Sequence, residues 1–192
     1  MAYPSTSTAE REDWEGGTCV LTYEPLDVDA IMRSVRDESA GATAVFIGTT
    51  RNSFKGITMA RYMLWTSSLT HHVNNPTGKV VTRLEYQAYS KLAIKTMMQI
   101  LQDARKGVIS TYQPPLHNVP PLILSCTVHH RLGTVPVGEP SIVVAVSSPH
   151  RKEAFAACER ILEDVKEKAQ IWKREYYEGV KEEEAEWKAN NC

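Results

Sequence analysis

The chain has 192 residues, enough for one domain whose core needs no disulfide staples. Its 22 Lys and Arg against 23 Asp and Glu leave a formal charge of −1, and 42% of residues are apolar and 23% charged, which excludes disordered, collagen-like and polybasic nucleic-acid-binding classes. Apolar runs such as 121–126 and 142–146 stop far short of the roughly 18 residues a membrane helix needs.

The polar start carries no secretory pattern, so residues 1–17 are expected to form a flexible lead and the protein to be cytosolic. Residues 18–23 predict a first strand. A helix follows from about Asp27, an apt N-cap, with Val28, Ile31, Met32 and Val35 at helical spacing and Gly41 closing the segment. Residues 42–49 form a β-branched and aromatic run that predicts a strand, followed by a polar loop, 49–56, bearing Arg51. Residues 57–78 lack clean periodicity and interrupt an ordinary loop-to-strand connection. They read as an insertion, either a surface excursion or a retained intron, which transcript sequencing across 56–79 distinguishes.

Residues 80–86 predict a strand, and 90–106 a helix that places Leu92, Ile94, Met97, Met98 and Leu101 on one face before Gly107. Two further strands, 122–130 and 141–148, flank the turn-rich stretch 133–140, for which a hairpin is the simplest connection. Ser148 as N-cap and Pro149 at the first helical position open a helix to about Ala169. Its apolar face is Ala154, Phe155, Cys158, Ile161, Leu162, Val165 and Ala169. Residues 171–177 alternate as a strand, the acidic run 182–184 within the closing stretch 182–188 reads as solvated with Trp187 just beyond it as a candidate anchor for a partner, and 189–192 as a tail. Strands and helices mix without a regular βα repeat, so the predicted fold class is α+β.

Cys19, Cys126, Cys158 and Cys192 are scattered without a paired motif, which favours buried thiols over disulfides or metal ligands. Dinucleotide, P-loop, zinc-protease and serine-hydrolase signatures are absent. His71 and His72 lie in the suspected insertion, and His129 and His130 point to opposite faces of a strand, so no metal is expected. Basic residues instead gather at element ends: Arg51, then His150 and Arg151, then Lys166, then Lys173 with Arg174. A helix start carrying His150 and Arg151 suits a phosphate, and it equally suits a solvated helix end. A lysine partly desolvated among cations makes a nucleophile or proton shuttle, yet Glu163, Glu167 and Lys168 explain Lys166 as well by helix salt pairing. Lys173 and Glu175 share a strand face opposite Trp172, Arg174 and Tyr176, an arrangement open to a polar ligand or to routine cross-strand pairing.

Four segments together carry a resemblance: GATAVFIGTTRN, VTRLEYQAY, HHRLGTVPVGEPSIVVAVSSPHR and KEKAQIWKRE. They resemble, in order and over roughly 19–56 and 79–187, the large, catalytic subunits of molybdopterin synthase, the MoaE family. The resemblance implies an α/β-hammerhead fold with an additional antiparallel β subdomain, spanning 18–188. It implies a sulfurtransferase of molybdenum cofactor biosynthesis that makes the dithiolene of molybdopterin from cyclic pyranopterin monophosphate (precursor Z). The implied sulfur donor is a small ubiquitin-like subunit with a C-terminal Gly-Gly thiocarboxylate, bound to a homodimer of large subunits as a cytoplasmic heterotetramer. No cofactor, metal, nucleic acid or membrane is implied.

Matched position by position, the family's catalytic lysines fall on Lys166 and Lys173. Its substrate contacts fall on Arg51, His150, Arg151, Lys166, Lys173, Arg174 and Glu175, while Thr49 stands where some relatives carry Lys. A non-catalytic anion-binding module, or a scaffold for the small subunit whose site the insertion disables, is the alternative expectation.

Overall fold

Residues Pro140–Ser148 are buried along nearly their whole length, on both faces, which requires a strand with neighbours on each side and a layer above and below. The computed structural model describes residues 6–52, 80–112 and 123–190. The suspected insertion 57–78, with His71 and His72, lies outside the described residues, as does Cys192. In chain order the elements are β1 (Glu10–Trp14), β2 (Gly17–Thr22), α1 (Val28–Ser34), β3 (Ala42–Thr49), β4 (Val81–Ala88), α2 (Ser90–Tyr112), β5 (Ser125–Arg131), β6 (Gly133–Pro136), β7 (Pro140–Ser148), α3 (Arg151–Lys168), β8 (Ile171–Tyr177), a 3-10 turn (Glu182–Glu184) and β9 (Trp187–Ala189).

Five strands form one sheet in the order β1-β2-β5-β7-β3, and four form a second in the order β6-β4-β8-β9. Among the described residues only the β2–β5 pairing is parallel. One face of the first sheet, with Leu21, Ala44, Val128, Val144 and Val146, packs under Ile94, Met97 and Leu101 of α2 and Ile161 and Val165 of α3. The other face holds Val143 and Ala145 against Leu26, Ile31 and Val35 around the short α1. This is an α+β fold with a second antiparallel sheet.

Several local readings hold in detail. The Asp27 carboxylate caps α1 by accepting the Ala30 N–H at 2.9 Å, and β3 and β8 span the expected residues. Others need correction. The lead is not free from Glu10 onward: Glu10–Trp14 pairs with Gly17–Leu21 as an edge strand through a two-residue turn. Its charged, half-exposed alternation conceals it in the sequence. Gly17 closes that turn at φ +155, where a Cβ would lie 1.7 Å from the Cys126 carbonyl oxygen, so only glycine permits this approach of β2 to β5.

The stretch 133–140 is no simple hairpin. β5 and β7 are antiparallel neighbours, but the chain between them crosses to the second sheet as β6 and pairs with β4. Four residues with one buried side chain, Val135, are too few to show a period. The N-cap position of α3 is His150 rather than Ser148, and its side chain makes no capping hydrogen bond. Ser148 stays in the ladder opposite Ala42, and its hydroxyl accepts the His150 N–H at 3.3 Å.

Phe155 is 66% exposed and Leu92 54% exposed, not core. The buried stripe of α3 is Ala154, Ala157, Cys158, Ile161, Leu162 and Val165, and Phe155 sits about 100° around from Ala154. The acidic run Glu182–Glu184 is exposed as expected, but just beyond it Trp187–Ala189 adds an edge strand to β8.

Candidate active site

Alternation along β8 sorts the W-K-R-E segment onto two faces. Lys173 and Glu175 lie on the face shared with Tyr86 and Leu84 of β4, their register partners. Tyr86 is buried there, edge-on to the His130 ring with centroids 4.9 Å apart, so this face looks toward the first sheet. The Lys173 Nζ stands 3.6 Å from Glu175 Oε1, with side chains 20% and 9% exposed. Tyr177, two residues on, donates its hydroxyl to Glu175 Oε2. Burial, and then that hydrogen bond, push the Tyr177 phenol up to about 12. From β9, Lys188 stands opposite Lys173 in register, with its side chain exposed.

Arg174 is turned to the other face. It donates to Glu85 at 2.7 Å, and Tyr176 donates to the same carboxylate oxygen. Burial works to raise the Glu85 carboxyl, but the bonds from Tyr176 and Arg174 outweigh it and hold the group below the usual carboxylate range. The Arg83 guanidinium lies 3.8 Å above the Tyr176 ring and that of Arg174 lies 4.8 Å from the Trp187 ring centre, while Arg83 also pairs with Glu182 at 2.7 Å. Arg174 thus belongs to an outer framework of paired charges and aromatic rings, separate from Lys173 and Glu175.

Helix α3 runs alongside β3 in the same direction. At their common start, a Cβ on Gly41 would meet the Pro149 carbonyl oxygen at 2.3 Å, and Ala42 pairs with Ser148. His150 and Arg151 are exposed at this end and, with Gly41, Pro149, Lys152 and Glu153, line an open depression of about 410 Å³. Lys166 is fifteen residues beyond Arg151, about 22 Å along the helix at 1.5 Å per residue. Its Nζ lies 6.0 Å from the ring centre of Phe46 on β3.

Arg51 follows the far end of β3 and is exposed. Its loop is pinned on both sides: the buried Thr50 donates its N–H to Glu139 O at 3.1 Å and accepts from Gly138 N–H at 2.8 Å, and Asn52 O accepts from Val81 N–H at 3.0 Å. Glu139 is also ion-paired to the buried Arg131. β8 leaves the end of α3 and finishes beside this loop, where Glu178 N–H bonds Val80 O at 2.9 Å. Within one chain, Arg51, Lys166 and the Lys173–Glu175 pair therefore occupy the region between the end of α3 and the end of β3. His150 and Arg151 stand at the opposite end.

The histidines and cysteines of the first sheet and of α3 are buried or, at His129, half-buried. Burial pushes both His129 and His130 down to about 4, so they are neutral at pH 7, and His130 Nδ1 is 2.8 Å from Arg131 O. Cys19, Cys126 and Cys158 are buried, and burial pushes the Cys126 and Cys158 thiols up to about 12 and about 11. Among the described residues no group of three His, Cys, Asp or Glu is placed to hold a metal, and no helix is long and apolar enough to cross a membrane. Sequence reasoning missed Tyr177 and Lys188. The first shares the period-2 face of Lys173 and Glu175, whereas the second depends on the pairing of β9, which three residues do not announce.

Comparison with known proteins adds identity to this geometry. Residues 21–168 match the family model described as MoaE protein. The molybdopterin synthase catalytic subunit of Pyricularia oryzae is 39% identical over 170 residues, covering 88% of this chain and 72% of that one. Molybdopterin synthase catalytic subunit 1 of Aedes aegypti is 38% identical over 173 residues, covering 88% and 87%. Among solved structures, the Staphylococcus aureus molybdopterin synthase superposes with a TM-score of 0.62 at 26% identity, covering 88% of this chain and 94% of that chain. A complex of subunits 1 and 2 of the Helicobacter pylori molybdopterin-converting factor gives 0.55 at 18% identity, covering 84% and 86%.

Proposed function

The chain belongs to the MoaE family and is a molybdopterin synthase catalytic subunit, a sulfurtransferase of molybdenum cofactor biosynthesis; on that premise we propose how its residues divide the work. The donor is a small ubiquitin-like subunit carrying a C-terminal Gly-Gly thiocarboxylate, and the acceptor is cyclic pyranopterin monophosphate. Both are anionic, so the site must offset two negative charges at once.

Lys166, half-buried beside Phe46, meets the thiocarboxylate tail and steadies its anionic sulfur as that sulfur attacks a pterin side-chain carbon and displaces its oxygen; water then cleaves the acyl–sulfur bond, leaving the sulfur on the substrate and a carboxylate on the tail. Lys173, paired to Glu175 at 3.6 Å, is too far for a locked hydrogen bond. It remains free to donate to the substrate and to move a proton as the cyclic phosphate opens. Arg51 holds an anionic group of the pterin. His150 and Arg151 hold another from the second large subunit of a homodimer, because the length of α3 keeps them from Lys166 of their own chain. Arg174, occupied with Glu85, is assigned to the framework of β8 and not to the substrate. Two large and two small subunits make the working assembly, in the cytosol.

The observation that carries this division is the half-buried Lys173–Glu175 pair on the inward face of β8. The test is reconstitution of purified chain, thiocarboxylated small subunit and precursor, with the dithiolene product followed directly. Lys166→Ala and Lys173→Ala should each lose most product formation while folding normally, and wild-type turnover in both would refute the assignment.

A further inference from the structure

Glu175 presents its two carboxylate oxygens to different partners: Oε1 faces the Lys173 ammonium at 3.6 Å, and Oε2 accepts the Tyr177 hydroxyl. All three residues lie at i, i+2 and i+4 of one strand, on one face. The carboxylate is 9% exposed, so water does little to orient it and the protein groups around it must. The groups facing Lys173 and Glu175 from neighbouring strands are Tyr86 and Leu84 of β4 and Lys188 of β9. Of these only Lys188 is charged, and its side chain is exposed.

We propose that Tyr177 is a positioning residue for Lys173: by holding Oε2 of Glu175 it fixes the plane of the carboxylate so that Oε1 is aimed at the Lys173 ammonium. The proposal rests on the reading of Lys173 as a group that works on the substrate. Without the hydroxyl, the carboxylate is free to rotate, and the Lys173 ammonium loses its fixed reference point. Positional precision of this kind governs rate more than binding, because a charge displaced by an ångström still attracts an anion but no longer meets the transition state.

Tyr177→Phe removes one oxygen from a partly exposed ring and leaves no cavity. In the reconstituted system it should lower the rate at saturating partner and precursor about tenfold, with less than about a twofold change in the half-saturating concentrations. In a Glu175→Ala background the same substitution should have no further effect, whereas a packing role would give equal losses in both backgrounds. A readout independent of activity is the Cε resonance of Lys173 in lysine-labelled protein, assigned with Lys173→Arg. It should move in Tyr177→Phe while that of Lys166 stays. An unmoved Lys173 resonance, or full rate in Tyr177→Phe when Lys173→Ala is inactive, overturns the positioning role. Full turnover in Lys173→Ala overturns the functional reading itself, and the resonance then still decides whether Tyr177 orients the pair.

Discussion

Arg174 and Glu85 meet across the β4–β8 ladder with 2.7 Å between guanidinium nitrogen and carboxylate oxygen, on the face of the second sheet that Lys173 does not share. The adjacency of Lys173 and Arg174 in sequence therefore separates two jobs in space, chemistry inward and cohesion outward.

From this separation follows a difference between neighbouring substitutions. Arg174→Ala leaves Glu85 with only the Tyr176 hydroxyl of these two donors and removes the guanidinium from the Tyr176 and Trp187 rings, so it should cost about 1–2 kcal/mol of stability for a partly exposed, charge-assisted bond. Lys173→Ala should cost less stability and far more activity. Denaturant unfolding and product formation, measured on both variants, check the crossing of the two effects.

His130 is neutral in the fold and protonates there only near pH 4, against 6.5 when unfolded. Below pH 6.5 the unfolded chain binds more protons than the folded one, so stability falls as pH drops from about 6.5 to about 4, by roughly 3 kcal/mol for this group. Glu85, held below its unfolded value of 4.5, withdraws its contribution at still lower pH. Unfolding titrations at pH 7, 5.5 and 4.5 should show the first loss, and His130→Leu should remove only its own share, since burial depresses His129 over the same window.

The length of α3 yields a complementation experiment. If His150 and Arg151 serve the Lys166 of a second subunit, an inactive His150→Ala, Arg151→Ala double variant mixed and reassembled with inactive Lys166→Ala should regain about a quarter of wild-type turnover. Half the dimers would be mixed, each with one intact site of two. No recovery would place all the residues of each site within one chain.

At the β1–β2 turn, Gly17→Ala would drive a methyl group into the Cys126 carbonyl at a backbone angle few side chains adopt. A loss of about 3 kcal/mol or more is expected, read as a lowered midpoint in thermal or denaturant unfolding.

How much of this was legible depended on what each residue's neighbours in sequence could reveal. β3, β8 and the Asp27 cap stand out because eight- and seven-residue runs and a capping carboxylate are local signals. β1, β6 and β9 did not, because edge strands of three to five residues with charged or Gly-Pro composition owe their existence to the ladder they join. The site divides in the same way. Alternation alone put Lys173 and Glu175 together and Arg174 apart. The orientation of α3 along β3, which sends Lys166 to the Arg51 end and His150 to the other, is a tertiary fact, and so is the arrival of Lys188 from β9.

The crossing of β6 ties the two sheets by covalent chain as well as by packing. β5, β6 and β7 are consecutive in sequence, yet the middle one belongs to a different sheet from its neighbours. Neither sheet can come apart without dragging strands out of the other, so heat should disassemble both in one cooperative transition, and the surface that houses Lys173 should persist as long as the core does.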